Sequence, residues 1–320
     1  MNLIYMAKPP YGGWVSFTAH LALKYGYPLY KIGKRTELLK SGERRLRKFG
    51  YGVFYQNISI EDALKLPNVL ITAIDKNYYK YVNQFSPTTT LVIHDPTEVK
   101  GKSCQAVLDV LGIYKIITIR LSVKSFIKAK YNIDSVFKPH PFFEYPIIKP
   151  TKKRSGCVSI SRIDFDKHTE VTLKANKLLP EKQKIDIYGA KNDRYVYFKL
   201  KKEDLDFEKY YKGSFKKSFT ELDAILGNKR FVIDLSVIKN DGGGSQYTFL
   251  EAIYQGCVLI LNRKWLTAKD NIFKEGFNCL VVEDEHDIKR LLTQKHTKKT
   301  LVSLATNAKL LLKPHTDVSW

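Results

Sequence analysis

The chain has 320 residues, enough for about two domains. Hydrophobic residues make up 44% and charged residues 27%, a balance that excludes disorder as the main state. Lys and Arg number 54 against 32 Asp and Glu, a formal net charge of +22. Such a surplus draws polyanions through long-range attraction and counterion release. Nucleic acid, an anionic membrane surface and phosphorylated substrates all qualify, and a lysine-rich surface without such a partner gives the same figure. No run approaches the roughly 18–20 uncharged apolar residues of a membrane span, and MNLIYM reads as a strand rather than a signal peptide. Cys104, Cys157, Cys257 and Cys279 are scattered with no CxxC pair, which argues against a zinc ribbon and for a reducing, cytoplasmic setting (a host cytoplasm if the source is viral).

In chain order, Asn2–Met6 reads as a strand, Val15–Lys24 as a helix and Leu29–Ile32 as a second strand. The segment Arg44–Tyr55 reads as a hairpin inserted into the first domain, with Gly50 and Gly52 at its turn. Ile60–Leu66 follows as a helix capped by Ser59, then strand Val69–Ile74, helix Lys76–Asn83 and strand Leu91–His94. Val107–Leu111 is helical, Lys115–Arg120 a strand and Val123–Lys130 a helix. Pro139, Pro141, Pro146 and Pro150, followed by a basic run, mark a linker. Beyond it Gly156–Ile160, Lys184–Tyr188, Phe231–Ser236, Val258–Leu261 and Asn278–Val282 read as strands. Val171–Leu178, Leu222–Leu226, Tyr247–Tyr254 and most of His286–Leu312 read as helices. This alternation predicts two α/β domains with doubly wound parallel sheets, residues 1–145 and 146–320, facing a cleft. Ligands of such sheets bind at the carboxyl ends of the strands. Periplasmic binding proteins share the tandem plan but need an export signal.

Four segments at those ends carry candidate chemistry. Gly12 and Gly13 sit at the first strand-to-helix turn, where backbone N–H groups can approach a ligand. The pattern is not G-x-G-x-x-G, so a dinucleotide dehydrogenase is unsupported. His94 and Asp95 close the strand TLVIHDP; Asp95 is a candidate base or buttress, or simply begins an Asp-Pro turn. In SRIDFDK, Arg162 and Lys167 can bracket a diphosphate, or be two solvated cations. In DGGGSQYTFLE, the glycines before a helix form a candidate anion cradle with Gly243, Gly244, Ser245, Gln246, Tyr247 and Thr248. Glu251 lies about one turn into that helix, where a carboxylate can hold a ribose diol.

These segments resemble nucleotide-sugar glycosyltransferases of the GT-B class. More narrowly, YMAKPPYGG, LVIHDPTEV, SRIDFDK and QYTFLEAIYQGC, in that order over about 250 residues, resemble the DNA α-glucosyltransferases of T4-type bacteriophages, which modify hydroxymethylcytosine. The resemblance implies a GT-B fold whose second domain binds a UDP-sugar (UDP-glucose or a UDP-pentose), with no obligatory cofactor or metal and with retention of configuration. It implies that Arg162 and Lys167 bind the diphosphate, that Glu251 holds the ribose and that His94 and Asp95 lie at the reaction centre. Two positions depart from the pattern: Gly243 stands where the wider group has a second Glu, and Tyr11 where the phage relatives place a carboxylate. Asp164-x-Asp166 has the spacing of a metal motif but lies in the donor loop.

The expected activity is transfer of a sugar from a UDP-sugar to a hydroxymethylated base in double-stranded DNA, by a monomer with no membrane insertion. Lys34, Arg35, Arg44, Arg45, Arg47 and Lys48 are the candidate phosphate contacts, with Phe49 or Tyr51 as a wedge. The C-terminal helices are expected to pack back on the first domain. Two alternatives stand beside this: a glycosyltransferase for a lipid-linked or surface glycan, using Val123–Lys130 at a membrane, and a non-catalytic nucleic-acid-binding protein on the same fold.

Overall fold

The computed structural model describes residues 1–7, 12–33, 46–100, 104–147, 154–237, 246–267 and 271–320. The described residues of 1–144 together with 315–320 form one compact unit, and those of 145–314 form a second. Helices Glu285–Thr293 and Lys298–Lys309 therefore belong to the second unit, and only the last six residues join the first.

The first unit is built on an eight-stranded sheet of order β3-β4-β2-β1-β5-β6-β7-β8. Its strands are β1 (Asn2–Met6), β2 (Leu29–Ile32), β3 (Leu46–Gly50), β4 (Val53–Ile58), β5 (Val69–Ile74), β6 (Thr90–Ile93), β7 (Lys115–Thr118) and β8 (Val136–Phe137). All neighbouring strands are parallel except β3 and β4. The apolar run Val69–Ile74 is wholly buried because β5 lies between β1 and β6 with both faces covered. Its one polar residue, Thr72, accepts from Thr18 Oγ1 at 2.9 Å, which satisfies both hydroxyls in the core.

The expected hairpin is present, but as part of the sheet. Strand β4 pairs in parallel with β2, so β3 becomes the sheet edge. Gly50, Tyr51 and Gly52 turn it with positive φ. Phe49 and Tyr51 are not exposed wedges: Phe49 packs edge-on against Tyr5 at 4.9 Å, and the Tyr51 hydroxyl meets Ser16 Oγ at 3.1 Å. Leu46, Arg47 and Lys48 are exposed and Phe49 is buried, so this edge strand shows no inward–outward alternation.

Helix Gly12–Tyr25 is buried from Val15 to Ala22, more than one sheet face explains. Phe142 and the last residues of the chain supply the rest. Phe17 packs on Trp320 at 5.2 Å and His20 stacks on Phe142 at 4.8 Å. The Tyr27 hydroxyl donates to Trp320 O at 3.0 Å, and Lys24 and Tyr25 donate to the Thr316 and Val318 carbonyls. The helix expected over Lys76–Asn83 is shortened to Tyr79–Val82. Asp75 Oδ1 accepts from both the backbone and side chain of Asn77 at 2.8 Å, and this local turn competes with the first helical bonds.

The second unit carries a parallel five-stranded sheet of order β10-β9-β11-β12-β13. These are β9 (Ser155–Ser159), β10 (Asp186–Ile187), β11 (Lys229–Asp234), β12 (Val258–Asn262) and β13 (Leu280–Val282). The half-buried Arg154 guanidinium ties the bases of β9, β11 and β12 together through the carbonyls of Lys229 (3.1 Å) and Gln255. A short helical stretch from Asp193 to Tyr210, not expected from the sequence, adds a satellite core around Tyr195, Leu200 and Phe207. All four cysteines are buried and free. No helix among the described residues is long and apolar enough to cross a membrane.

Candidate functional site

Two second-unit candidates, Arg162 and Lys167, share the loop after β9, and Lys167 reaches the residue that follows β11. Lys167 is only 7% exposed, yet it holds an ammonium. Its Nζ donates to Ser236 Oγ at 2.9 Å and lies 3.3 Å from Asp166 Oδ2. Ser236 follows β11 and is itself fixed by Asp234, which accepts its backbone N–H at 2.9 Å and its hydroxyl. Trp265 Nε1 donates to Ser236 O at 2.8 Å, closing the support. A lysine stem buried among such donors and acceptors presents its charge at a defined point.

Arg162 is the exposed partner by comparison. Its side chain is 57% exposed and faces Asp164 at 3.4 Å and Asp166 at 3.7 Å. Exposed pairs of this kind contribute little, so the guanidinium is available to a stronger anion. Asp164 is further occupied by the Phe165 N–H and by Asn192 Nδ2, each within 2.9 Å. The two aspartates of the Asp-x-Asp spacing thus serve the loop's cations and turn. Among the described residues, no group of three or more His, Cys, Asp or Glu is placed to hold a metal ion.

Helix Tyr247–Tyr254 carries Tyr247 and Glu251 buried, with Gln246 and Thr248 half-buried. No acidic residue stands in its first turn, so the positive end of the helix is not neutralised from within. Gly243, Gly244 and Ser245 lie outside the described residues. Glu251 is 3% exposed. Burial pushes the Lys217 ammonium down while the Glu251 charge pulls it back up, and Glu251 adds to the burial that raises the Tyr145 phenol. Lys217 and Tyr145 were not candidates from the sequence, because neither lies in a recognisable turn.

Gly189 was also missed. It follows β10 with φ +151°, and a Cβ there would lie 1.9 Å from Ser161 O. Only glycine lets the end of β10 approach the loop that carries Arg162. The signal available was a lone glycine after the apolar strand KIDIY.

In the first unit, Gly12 opens its helix with φ +66°, a conformation that favours glycine, and Gly13 is exposed. His94 is buried. Its Nε2 meets Thr72 O at 2.7 Å and Phe17 packs edge-on against its ring at 4.7 Å. Burial pushes the imidazole down to about 4, although the Thr72 carbonyl opposes this and Arg120 reinforces it. His94 is therefore neutral near pH 7. Asp95 is half-buried and caps the short helix Pro96–Val99, accepting the Thr97 N–H at 2.8 Å. The Asp-Pro turn and the candidate base are thus the same residue at the same strand end.

Glu98 was not anticipated. Its Oε1 accepts Trp14 Nε1 at 3.1 Å and its Oε2 accepts the His94 N–H at 3.0 Å. Burial pushes its carboxyl up to about 8, with the nearby Asp95 charge adding and the two donated bonds opposing. Of the six basic residues singled out, Lys34, Arg35, Arg44 and Arg45 lie outside the described residues. Arg47 and Lys48 are exposed on β3, opposite Tyr55 and Phe54 of β4. Charge on a sheet edge also blocks unwanted strand pairing.

No protein-family model matches this sequence, and no curated protein matches it. Solved structures do. HepE of Anabaena, in complex with UDP and glucose, has a TM-score of 0.71 at 10% identity, over 99% of this chain and 96% of that one. A glycosyltransferase from Rickettsia africae gives 0.60 at 13% identity, over 98% and 94%. The lipopolysaccharide outer core galactosyltransferase WaaB gives 0.54 at 13% identity, over 98% and 99%. Together with the two parallel sheets, these likenesses give the chain the two-domain, Rossmann-like GT-B fold.

Proposed function

We propose that this chain is a glycosyltransferase that takes a sugar from a UDP-sugar and places it on a hydroxymethylated base, 5-hydroxymethylcytosine foremost, in double-stranded DNA. The observation that carries the transferase reading is the buried Lys167 ammonium pinned by Ser236 at the carboxyl ends of β9 and β11, with buried Glu251 on the helix that follows β11. A buried cation at that place suits a diphosphate, and a buried carboxylate beyond a helix start suits a ribose. Solved relatives of the same fold hold UDP, or UDP-glucose.

In this reading Lys167, Arg162 and the positive end of helix Tyr247–Tyr254 bind the diphosphate. They stabilise the negative charge that builds on the UDP oxygen as its bond to the sugar's anomeric carbon breaks. Protein cations take the part that a metal plays elsewhere. The acceptor hydroxyl attacks that carbon, and Asp95 accepts its proton or orients it. Retention of configuration follows the resemblance of the four motifs. The DNA acceptor rests on those motifs and on the net charge of +22. Arg47 and Lys48 are its phosphate contacts among the described residues.

A second reading has one specific support. Helix Leu121–Tyr131 exposes Leu121, Lys124 and Lys128 at the i, i+3, i+7 spacing of one face, as an anionic membrane would require, and WaaB is a lipopolysaccharide outer core galactosyltransferase. Liposome sedimentation against DNA gel shift separates the two acceptors.

The decisive assay mixes the chain with a panel of UDP-sugars and duplex DNA carrying 5-hydroxymethylcytosine, then weighs the digested nucleosides. The expected result is a mass gain of one sugar on the modified base, absent for cytosine and lost in Glu251→Ala and Asp95→Ala. UDP release into water with no DNA product retains the transferase and discards the DNA acceptor.

A further inference from the structure

Trp14 is the third residue of helix Gly12–Tyr25, just beyond the carboxyl end of β1. Its indole N–H is committed to Glu98 at 3.1 Å, and the second Glu98 oxygen is committed to the His94 backbone at 3.0 Å. Glu98 is 6% exposed. Burying a carboxyl is costly unless its oxygens are satisfied, and here both are spent on one aromatic ring and one strand end. The bridge spans β5, because β1 and β6 flank that strand. It sets the plane of the indole relative to the strand end that bears Asp95. The His94 ring lies 6.2 Å away at 59°, buried and backed by Phe17.

Trp14 keeps part of its surface open. Its single polar atom faces inward, so what it offers a ligand is a rigid aromatic surface. Such a surface selects flat rings by stacking and does not read their hydrogen-bonding edges. We propose that Trp14 is the stacking platform for the planar base that bears the accepting hydroxyl, with Glu98 as the positioning residue that holds the indole. This rests on the base acceptor proposed above. A base extruded from a duplex loses its neighbours, and an aromatic platform replaces them.

The test uses the full chain and the UDP-sugar found active in the mass assay. Wild type, Trp14→Ala and Trp14→Phe are compared for transfer to duplex DNA carrying 5-hydroxymethylcytosine, with thermal melts to confirm folding. Trp14→Ala is expected to raise KM for the duplex about 10- to 100-fold, the range of base–aromatic stacking losses, with a smaller fall in kcat. Trp14→Phe is expected to recover most of it. A KM for Trp14→Ala equal to wild type, or Trp14→Phe failing as badly as Trp14→Ala in both constants, overturns the platform. If Trp14→Ala does not fold, fluorescence decides. The modified duplex should quench wild-type tryptophan emission more than an unmodified one, and that excess should vanish in Trp14→Phe. An excess that persists in Trp14→Phe overturns the platform. A wild-type chain that releases UDP into water and modifies no duplex overturns the base acceptor and the platform together. Transfer that ignores Trp14 overturns the platform alone.

Discussion

The carboxyl edges of the two sheets are made of different materials. In the second unit the edge is ionic. Lys167, Arg162, Asp164, Asp166 and Asp234 gather there, and Ser236 holds Lys167 and Asp234 in place. In the first unit the edge is made of rings. Trp14, Phe17 and His94 line it, burial keeps His94 neutral, and the one deeply buried carboxyl, Glu98, is pushed up to about 8. A fixed charge binds a fixed charge well, because the site has already borne the cost of ordering it. An edge of rings whose nearest charge is the Asp95 carboxylate has little for a diphosphate and more for a flat, weakly polar ring. The contrast fits the proposed roles, a nucleotide on the second unit and an acceptor on the first.

The sharpest way to break this contrast is to remove the buried cation. Lys167→Met keeps the stem and deletes the charge. It is expected to lower kcat/KM for the UDP-sugar about 100- to 1000-fold while leaving Tm within a few degrees, as measured by UDP release and thermal melting. Equal activity in the variant would mean that the ionic edge is a structural feature only.

Burial of Glu98 and His94 at the first edge makes a prediction in pH. Glu98 has a higher pKa in the fold than its ordinary 4.5, so its contribution is full below about pH 4.5 and is lost as pH rises through about 8. His94 has a lower pKa in the fold than its ordinary 6.5, so its contribution is full above about pH 6.5 and is lost as pH falls through about 4. Burial and the facing Arg120, His20, His94 and His315 push His140 down as well, with the same sign as His94. The two losses place maximum stability near pH 6.5. From there to pH 8 the Tm is expected to fall by roughly 5 °C, and Glu98→Gln should flatten that fall. A melting curve that keeps its full slope in Glu98→Gln places the titration elsewhere.

The smallest expected effect tests the exposed charges of β3. Arg47→Gln and Lys48→Gln should each reduce the slope of log K against log salt for duplex DNA by about 0.9, read from binding titrations at several salt concentrations. An unchanged slope means that these cations only guard the sheet edge.

Most strands were legible in the sequence because their signals are local. Apolar runs such as VLITAI and FVID end in Gly, Asp or Pro, and parallel strands buried on both faces read as such runs. The Ser59 cap is local too, and its hydroxyl does accept the Asp62 N–H at 3.0 Å. The lost half of helix Lys76–Asn83 shows the limit of such reading: a single aspartate side chain captured Asn77 before the helix could start.

What the tertiary structure alone decided is partnership across the chain. Glu98 carried no signal in the sequence, and the fold set it against Trp14, 84 positions away. Ser236 gained its meaning from Lys167, 69 positions away, and Gly189 from the Ser161 carbonyl that leaves no room for a side chain. Phe49 and Tyr51 turned inward because β4 joined β2 and made the hairpin part of the core. The sequence by itself determined the alternation of strands and helices, and hence the strand ends at which chemistry collects. Which side chains meet there depends on strand order, and strand order is set by packing among residues far apart in the chain, which no local pattern records.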